Sequence, residues 1–262
     1  MTVNIVVCVK QVPDTESERK LVPGAGTLDR AAADGVINEL DEYAIEEGLR
    51  IAEAHGGEVT ILSMGPDKAT DSIRKALSMG ADKAVHVLDD ALAGSDALST
   101  SAVLAAALSS VGFDLVIAGA ESTDARTGLV PAMLAERLGV PQLTLASKVD
   151  IEGTDVTIRR MSDDGFDVVS APMPAVISVL EKINEPRYPS FKGIMAAKKK
   201  PVQTLTLGDL PGVSAEAAGL AGSVTEVVDF AARPPRAAGV IVKDEGDGGV
   251  KTAAFLAERK FI

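Results

Sequence analysis

An alternation constrains this chain more than any single motif. Through residue 150, short apolar runs rich in β-branched residues trade places with stretches of helical periodicity. The first run, residues 4–9 (NIVVCV), is continuous rather than alternating, which fits a parallel strand covered on both faces. Residues 41–54 follow as a helix, with Ile45, Leu49 and Ala52 at helical spacing and His55-Gly56-Gly57 ending it. Residues 59–63 (VTILS), 84–88, 115–118 (LVIA) and 142–149 read as further strands. Helices are expected between them. Gly65-Pro66-Asp67 opens one over 65–79, with Gly80 as its stop; Ser95 or Asp96 caps one over 96–109; another covers 128–138. This order predicts a doubly wound α/β fold, a parallel sheet with right-handed crossovers. Ligands of such sheets bind beyond the carboxyl ends of strands, where strand order reverses. Segments 10–15, 64–67 and 119–128 are therefore the ones to inspect.

The pattern changes after residue 150. Strands are expected at 156–161 and 167–170 around Asp163-Asp164-Gly165, a strong hairpin signal, and again at 175–180. Beyond Lys200 the chain is rich in Gly, Ala and Pro with weak periodicity; 231–236 (AARPPR) reads as a linker and 251–262 as a short helix. The expected organisation is an α/β body over 1–200 and an extended C-terminal arm over 201–262. The arm has little apolar surface of its own, so it is expected to pack on something else.

Composition excludes several functions. A net charge of −12 argues against nucleic acid, whose binding draws on clustered Lys and Arg, and the absence of Trp removes the best base-stacking platform. Cys8 is the only cysteine and His55 and His86 the only histidines, so neither a disulfide nor a four-ligand zinc site is expected. The first apolar run is too short for a signal peptide, and no run reaches the ~20 residues that span a bilayer. A cytoplasmic protein without membrane insertion is the expectation.

The glycine-rich stretch after the fourth strand is the best ligand candidate: Gly119-Ala120-Glu121-Ser122-Thr123-Asp124-Ala125-Arg126-Thr127-Gly128. Small residues let a ligand approach the backbone, and N–H groups with Ser and Thr hydroxyls can hold a phosphate. Asp124 could order the loop or accept from a ribose or base. A loop with an N-cap and no ligand would read the same way, since neither a Walker pattern nor GxGxxG is present. Lys10 leaves the first strand toward the same end, although a lone lysine is more often a solvated one. Asn38-Glu39-Leu40-Asp41 precedes an amphipathic helix, and Asn38 or Asp41 could simply be its cap. Cys8 reads as a small apolar filler, and both histidines as structural. No Ser-His-Asp or Cys-His arrangement and no isolated carboxylate pair stands out, which favours a binding or carrier role over catalysis.

Residues 182–200 (KINEPRYPSFKGIMAAKKK) are the most unusual stretch. Pro186 and Pro189 stiffen it, while Tyr188, Phe191, Ile194 and Met195 place large apolar groups in a loop-like context before Lys198-Lys199-Lys200. It reads either as a loop packed on its own domain or as an exposed anchor for a partner.

These blocks resemble the beta subunits of electron transfer flavoproteins, over about residues 1–205. The most specific is Asn184-Glu185-Pro186-Arg187-Tyr188 with Ile194-Met195 and the lysine run, similar to the family's recognition loop; Phe191 stands where the anchor is commonly leucine. Residues 6–10, 38–47 (NELDEYAIEE), 63–66, 73–82 (IRKALSMGAD) and 163–176 match as well. The resemblance implies AMP in this subunit, or a second FAD as in electron-bifurcating members. The implied nucleotide contacts are Cys8, Asn38, Glu39, Leu40, Asp41, Met64 and the loop Gly119, Ser122, Thr123, Asp124, Ala125, Arg126 and Thr127. Related loops are often longer here. It also implies an alpha subunit that holds the redox FAD near Lys10, and acyl-CoA dehydrogenases or similar flavin dehydrogenases docking through Arg187, Tyr188, Phe191, Ile194 and Met195. A quinone-reducing acceptor would take the electrons onward. An ATP-using enzyme of the same fold remains a rival reading.

Overall fold

The computed structural model describes every residue except Met1, Ala232, Arg233, Ala237 and Val240. It forms two units, residues 1–228 and 229–262. In chain order the first unit contains β1 (Val3–Cys8), β2 (Gln11–Pro13), β3 (Gly35–Ile37), α1 (Glu39–His55), β4 (Gly57–Met64), α2 (Thr70–Met79), β5 (Lys83–Val87), α3 (Ala97–Val111), β6 (Leu115–Gly119), α4 (Val130–Leu138), β7 (Gln142–Glu152), β8 (Asp155–Ser162), β9 (Gly165–Pro172), β10 (Ala175–Val179), α5 (Phe191–Ala197) and β11 (Val202–Leu205).

One sheet holds nine strands in the order β11-β5-β4-β1-β6-β10-β7-β8-β9. From β11 to β7 neighbours run parallel; β8 and β9 continue the edge as an antiparallel hairpin on β7. The continuous apolar run of β1 is explained by its central place. Ile5 and Val7 face a core shared with Ile45 and Ile73 of α1 and α2, while Val6 faces one shared with Leu104, Leu108 and Leu134 of α3 and α4. Each such fully buried aliphatic side chain contributes about 1.5–3 kcal/mol. After β1 the chain builds β4 and β5 on one side, then crosses to β6 on the other. The strand order therefore reverses at β1, which sets the crevice beyond the carboxyl ends of β1 and β6.

Local signals behave as their chemistry requires. The Asp96 carboxylate accepts from Ser99 N at 2.9 Å and caps α3. Pro131 sits in the first turn of α4, where its missing N–H costs nothing. A single 3-10 turn at Asp67–Ala69 precedes α2 in place of one unbroken helix from residue 65.

Four elements add to or depart from the sequence reading. The strand expected at 175–180 is present as β10, which inserts between β6 and β7, where every one of its residues is buried. The segment expected as loop around Phe191 is helix α5, started by Ser190, whose hydroxyl accepts from Gly193 N at 3.0 Å. A small hairpin, β2–β3, stands between β1 and α1. Finally, the chain does not leave the α/β body at residue 200. It adds β11 beside β5, and the first unit runs on to residue 228. Beyond that, a helix covers Gly248–Glu258, where 251–262 was expected; the 231–236 linker includes Ala232 and Arg233, outside the described residues. Among the described residues no helix is long and apolar enough to cross a membrane.

Candidate functional site

Three segments meet at the reversal point. Lys10 leaves β1, Asn38 precedes α1, and residues 119–128 leave β6. Asn38 is buried and does not cap its helix with its side chain. Its amide instead ties the segments together. Nδ2 donates to Asp41 Oδ1 at 2.9 Å and to the Glu121 carbonyl at 3.0 Å, and Oδ1 accepts from Thr123 N at 3.0 Å. Asp41 Oδ2 accepts from Lys10 N at 2.7 Å. Gly119 is required by this closeness: a Cβ there would sit 2.6 Å from Asp41 Oδ1 and 2.8 Å from Leu40 Cβ.

Asp124 closes the network. Its side chain is 1% exposed, yet one oxygen lies 2.8 Å from Lys10 Nζ and the other 2.6 Å from Arg30 Nη2. Lys10 Nζ also donates to Ser122 Oγ at 3.2 Å. Burial disfavours the Asp124 carboxylate, but the charge and hydrogen bond of Lys10, with bonds from Ser122 and Arg30, overcome it and hold the group down at about 2. Asp41 is the reverse case. Burial outweighs its hydrogen bonds from Asn38 and the backbone and raises it from 3.8 to about 7. Burial, then the nearby Asp41, pushes the Cys8 thiol up to about 12, so it stays protonated and unreactive.

The loop is polar, tethered at its start and open at its end. The Thr123 hydroxyl is buried without a hydrogen-bond partner among the described residues. Ala125, Arg126, Thr127 and Gly128 are exposed. Arg126 takes a positive φ of 48°, and its N–H bonds back to the Ser122 carbonyl at 2.8 Å, which folds the loop into a turn. Its guanidinium makes only a 3.9 Å contact with Glu121. Of the remaining residues singled out from the sequence, Cys8 ends β1 and Met64 ends β4, both partly buried, while Leu40 packs against Gly119 and Glu39 points outward. His86 is buried, with Nε2 3.1 Å from the Gly65 carbonyl, a structural role as expected. Arg30 was missed: it lies far along a loop with no periodicity, and nothing local ties it to residue 124.

Residues 184–200 form a second feature, fastened at its ends and exposed in the middle. Asn184 Nδ2 donates to Glu47 Oε2 at 3.0 Å and to the Tyr43 carbonyl at 3.1 Å. Arg187 reaches Glu46 at 2.7 Å and Glu53 at 2.5 Å, so its guanidinium holds the segment to α1. Its bonds to Glu46 and Glu53 raise its already high basicity. Gly193 packs so closely on α2 that a Cβ would lie 2.5 Å from the Ser78 carbonyl. Arg74 donates to the Ala197 and Lys200 carbonyls at 2.7 and 2.9 Å, and Lys200 returns the favour to the carbonyls of Leu77, Gly80 and Ala81 at 3.0, 3.1 and 2.6 Å. The two helices thus cap each other's C-termini with cations. Lys200 is accordingly not part of a solvated basic run. Between these fastenings Tyr188 is 96% exposed and Phe191 80%, with Ile194 and Met195 half exposed beside them.

Together these features define a doubly wound α/β protein with a tethered polar crevice at the switch point and a separate rigid apolar tip. The electron transfer flavoprotein domain matches residues 25–210. The chain is 54% identical over 265 aligned residues to the electron transfer flavoprotein subunit beta of Mycobacterium tuberculosis, with 99% of each chain covered. It is 52% identical over the same span to that of Mycobacterium leprae. It is also 37% identical over 240 residues, 91% of each chain, to the caffeyl-CoA reductase–Etf complex subunit CarD of Acetobacterium woodii. The chain belongs to the electron transfer flavoprotein family, among its beta subunits. Membership carries a role in electron transfer within a flavin-associated complex that includes an alpha subunit.

Proposed function

We propose that this beta subunit binds AMP in the crevice, helps enclose an FAD held mainly by the alpha subunit, and docks acyl-CoA dehydrogenase-type partners through residues 184–200. Electrons would pass to the bound flavin and on to a quinone-reducing acceptor, in the cytoplasm, as a step of fatty acid oxidation. The C-terminal arm, its start moved from residue 201 to 229, would pack on the alpha subunit. The subunit itself is an electron-carrier scaffold and performs no substrate chemistry.

One observation carries the nucleotide reading: the Thr123 hydroxyl is buried without a partner in a loop whose next residues are exposed. The N–H groups of Ala125, Thr127 and Gly128 have no acceptor among the described residues. An orphaned hydroxyl with free N–H groups suits a phosphate or ribose, because an unsatisfied buried polar atom costs about 1–3 kcal/mol. Thr123, Ala125, Thr127 and Gly128 would hold the phosphate, with Arg126 free to join them. Asn38 and Asp41 fix the floor. Asp124 orders the loop rather than reading the ligand, since both its oxygens are already taken. Bound nucleotide would stabilise the fold by mass action. For docking, Phe191 and its neighbours supply apolar area on a base that Arg187, Arg74 and Lys200 keep rigid. A rigid anchor loses little entropy on binding.

The test is a count. The purified heterodimer is denatured and its released nucleotides are weighed by mass spectrometry. One AMP with one FAD supports the reading. Two FAD and no AMP replaces it with the electron-bifurcating alternative. ATP hydrolysis by the purified complex would favour the enzyme reading.

A further inference from the structure

The loop between β2 and β3, residues 14–34, has an unusual relation to the crevice. The β2–β3 hairpin that carries it starts just after Lys10 and ends just before Asn38, so two site residues flank the stem. Asn38 N donates to the Lys10 carbonyl at 2.9 Å and Asp14 N to the Asp34 carbonyl at 2.9 Å, which closes the stem. The loop then reaches back a third time: Arg30 Nη2 lies 2.6 Å from Asp124 Oδ2. It is thus held to the third wall of the site by a single side chain. Its middle is braced separately. Leu21 bridges Leu28, Arg30 follows an Asp29 turn in which Ala31 N donates to Asp29 Oδ1 at 3.1 Å, and Gly26 packs on Val227 with no room for a Cβ. The loop is therefore a shaped strap rather than a random connection, and its one charged fastening meets a carboxylate that is 1% exposed.

We propose that residues 14–34 form a strap across the nucleotide crevice and that Arg30 is its latch, a positioning residue that controls how fast a bound adenylate phosphate escapes. This rests on the nucleotide reading above and deepens it. Two cations face the Asp124 carboxylate. Lys10 comes from β1, which cannot move without breaking the sheet. Arg30 comes from a connection that can. Opening the strap would break the half-exposed Arg30 arm of the ion triad while leaving the Lys10 arm in place. A half-exposed cation on a buried carboxylate holds more strongly than a surface pair and less strongly than a fully buried one.

The experiment loads the purified heterodimer with radiolabelled AMP, dilutes it into unlabelled AMP and follows the label lost. Arg30→Ala is expected to speed release about tenfold and Arg30→Lys by less, since a point charge restores part of the pair. Flavin content and the urea midpoint of the empty protein should stay within error for Arg30→Lys, which guards against a variant that is merely misfolded. Trypsin cleavage after Lys20, inside the strap, should quicken in Arg30→Ala. Wild-type release rates in both variants, with AMP bound, would overturn the latch while leaving the nucleotide reading intact. A wild-type heterodimer that binds no AMP at all would overturn both.

Discussion

At the crevice the charged groups turn inward onto one another: Lys10 and Arg30 on Asp124, Asn38 and the Lys10 backbone on Asp41. In the 184–200 segment they turn toward the body and leave apolar side chains facing out: Arg187 on Glu46 and Glu53, Lys200 on three carbonyls, and Phe191 in solvent. Both regions spend polar groups on rigidity. They differ in what the rigidity presents. A site that keeps a small ligand needs unsatisfied donors at a fixed spacing. A site that meets a protein briefly needs exposed apolar area whose ordering cost is already met.

Substitutions can break this contrast. The largest effect is expected from Asp124→Ala, which leaves Lys10 and Arg30 facing each other without their carboxylate. Stability should fall by about 2–3 kcal/mol, less than for a fully buried pair because both cations are partly solvated. A urea midpoint within error of wild type would mean the triad is not holding the crevice together. Phe191→Ala should do the opposite. It should leave the urea midpoint nearly untouched and weaken docking to a dehydrogenase by ~2 kcal/mol, about thirtyfold, read as a rise in KM for electron transfer. Unchanged transfer would remove the anchor role.

Asp41 sharpens the crevice side through pH. Its folded value of about 7 lies above the 3.8 of the free group, so the folded state holds the proton more tightly. The stability this provides is complete below about 4 and is lost as pH rises through about 7. Wild type should therefore lose stability relative to Asp41→Asn by up to ~1 kcal/mol per pH unit across that window, then level off. Denaturation curves that stay parallel from pH 4 to 8 would show that Asp41 titrates normally. The smallest effect on docking is expected for Arg187→Met: about 1–2 kcal/mol of stability, since Glu53 is mostly exposed but Glu46 is buried and loses its partner, with a modest loss of docking as the tip loosens. A docking loss as large as that of Phe191→Ala would mean Arg187 also touches the partner.

Much of the fold was readable because its signals are local. A buried parallel strand needs apolar residues on both faces, so residues 4–9 and 115–118 declare themselves. Asp96 can be read as a cap because the capped N–H lies three residues away. Asn38 was also found, but its job was not. Its bonds to Glu121 and Thr123 reach across 83 and 85 residues, and from the sequence it looked equally like a helix cap.

What the sequence determined alone was the alternation, hence the doubly wound sheet and the strand ends that carry the crevice, and the apolar composition of the stretch around Phe191, though not its exposure. Tertiary structure decided the rest. It put β10 in the middle of the sheet and β11 at its edge, turned the Phe191 loop into a helix, made Arg187 a fastener and brought Arg30 to Asp124. The physical reason is one of range. Periodicity and capping are set within a turn or two of chain. Strand neighbours and ion pairs are set by which surfaces are left to bury once those elements have formed, and that choice is made across the whole molecule.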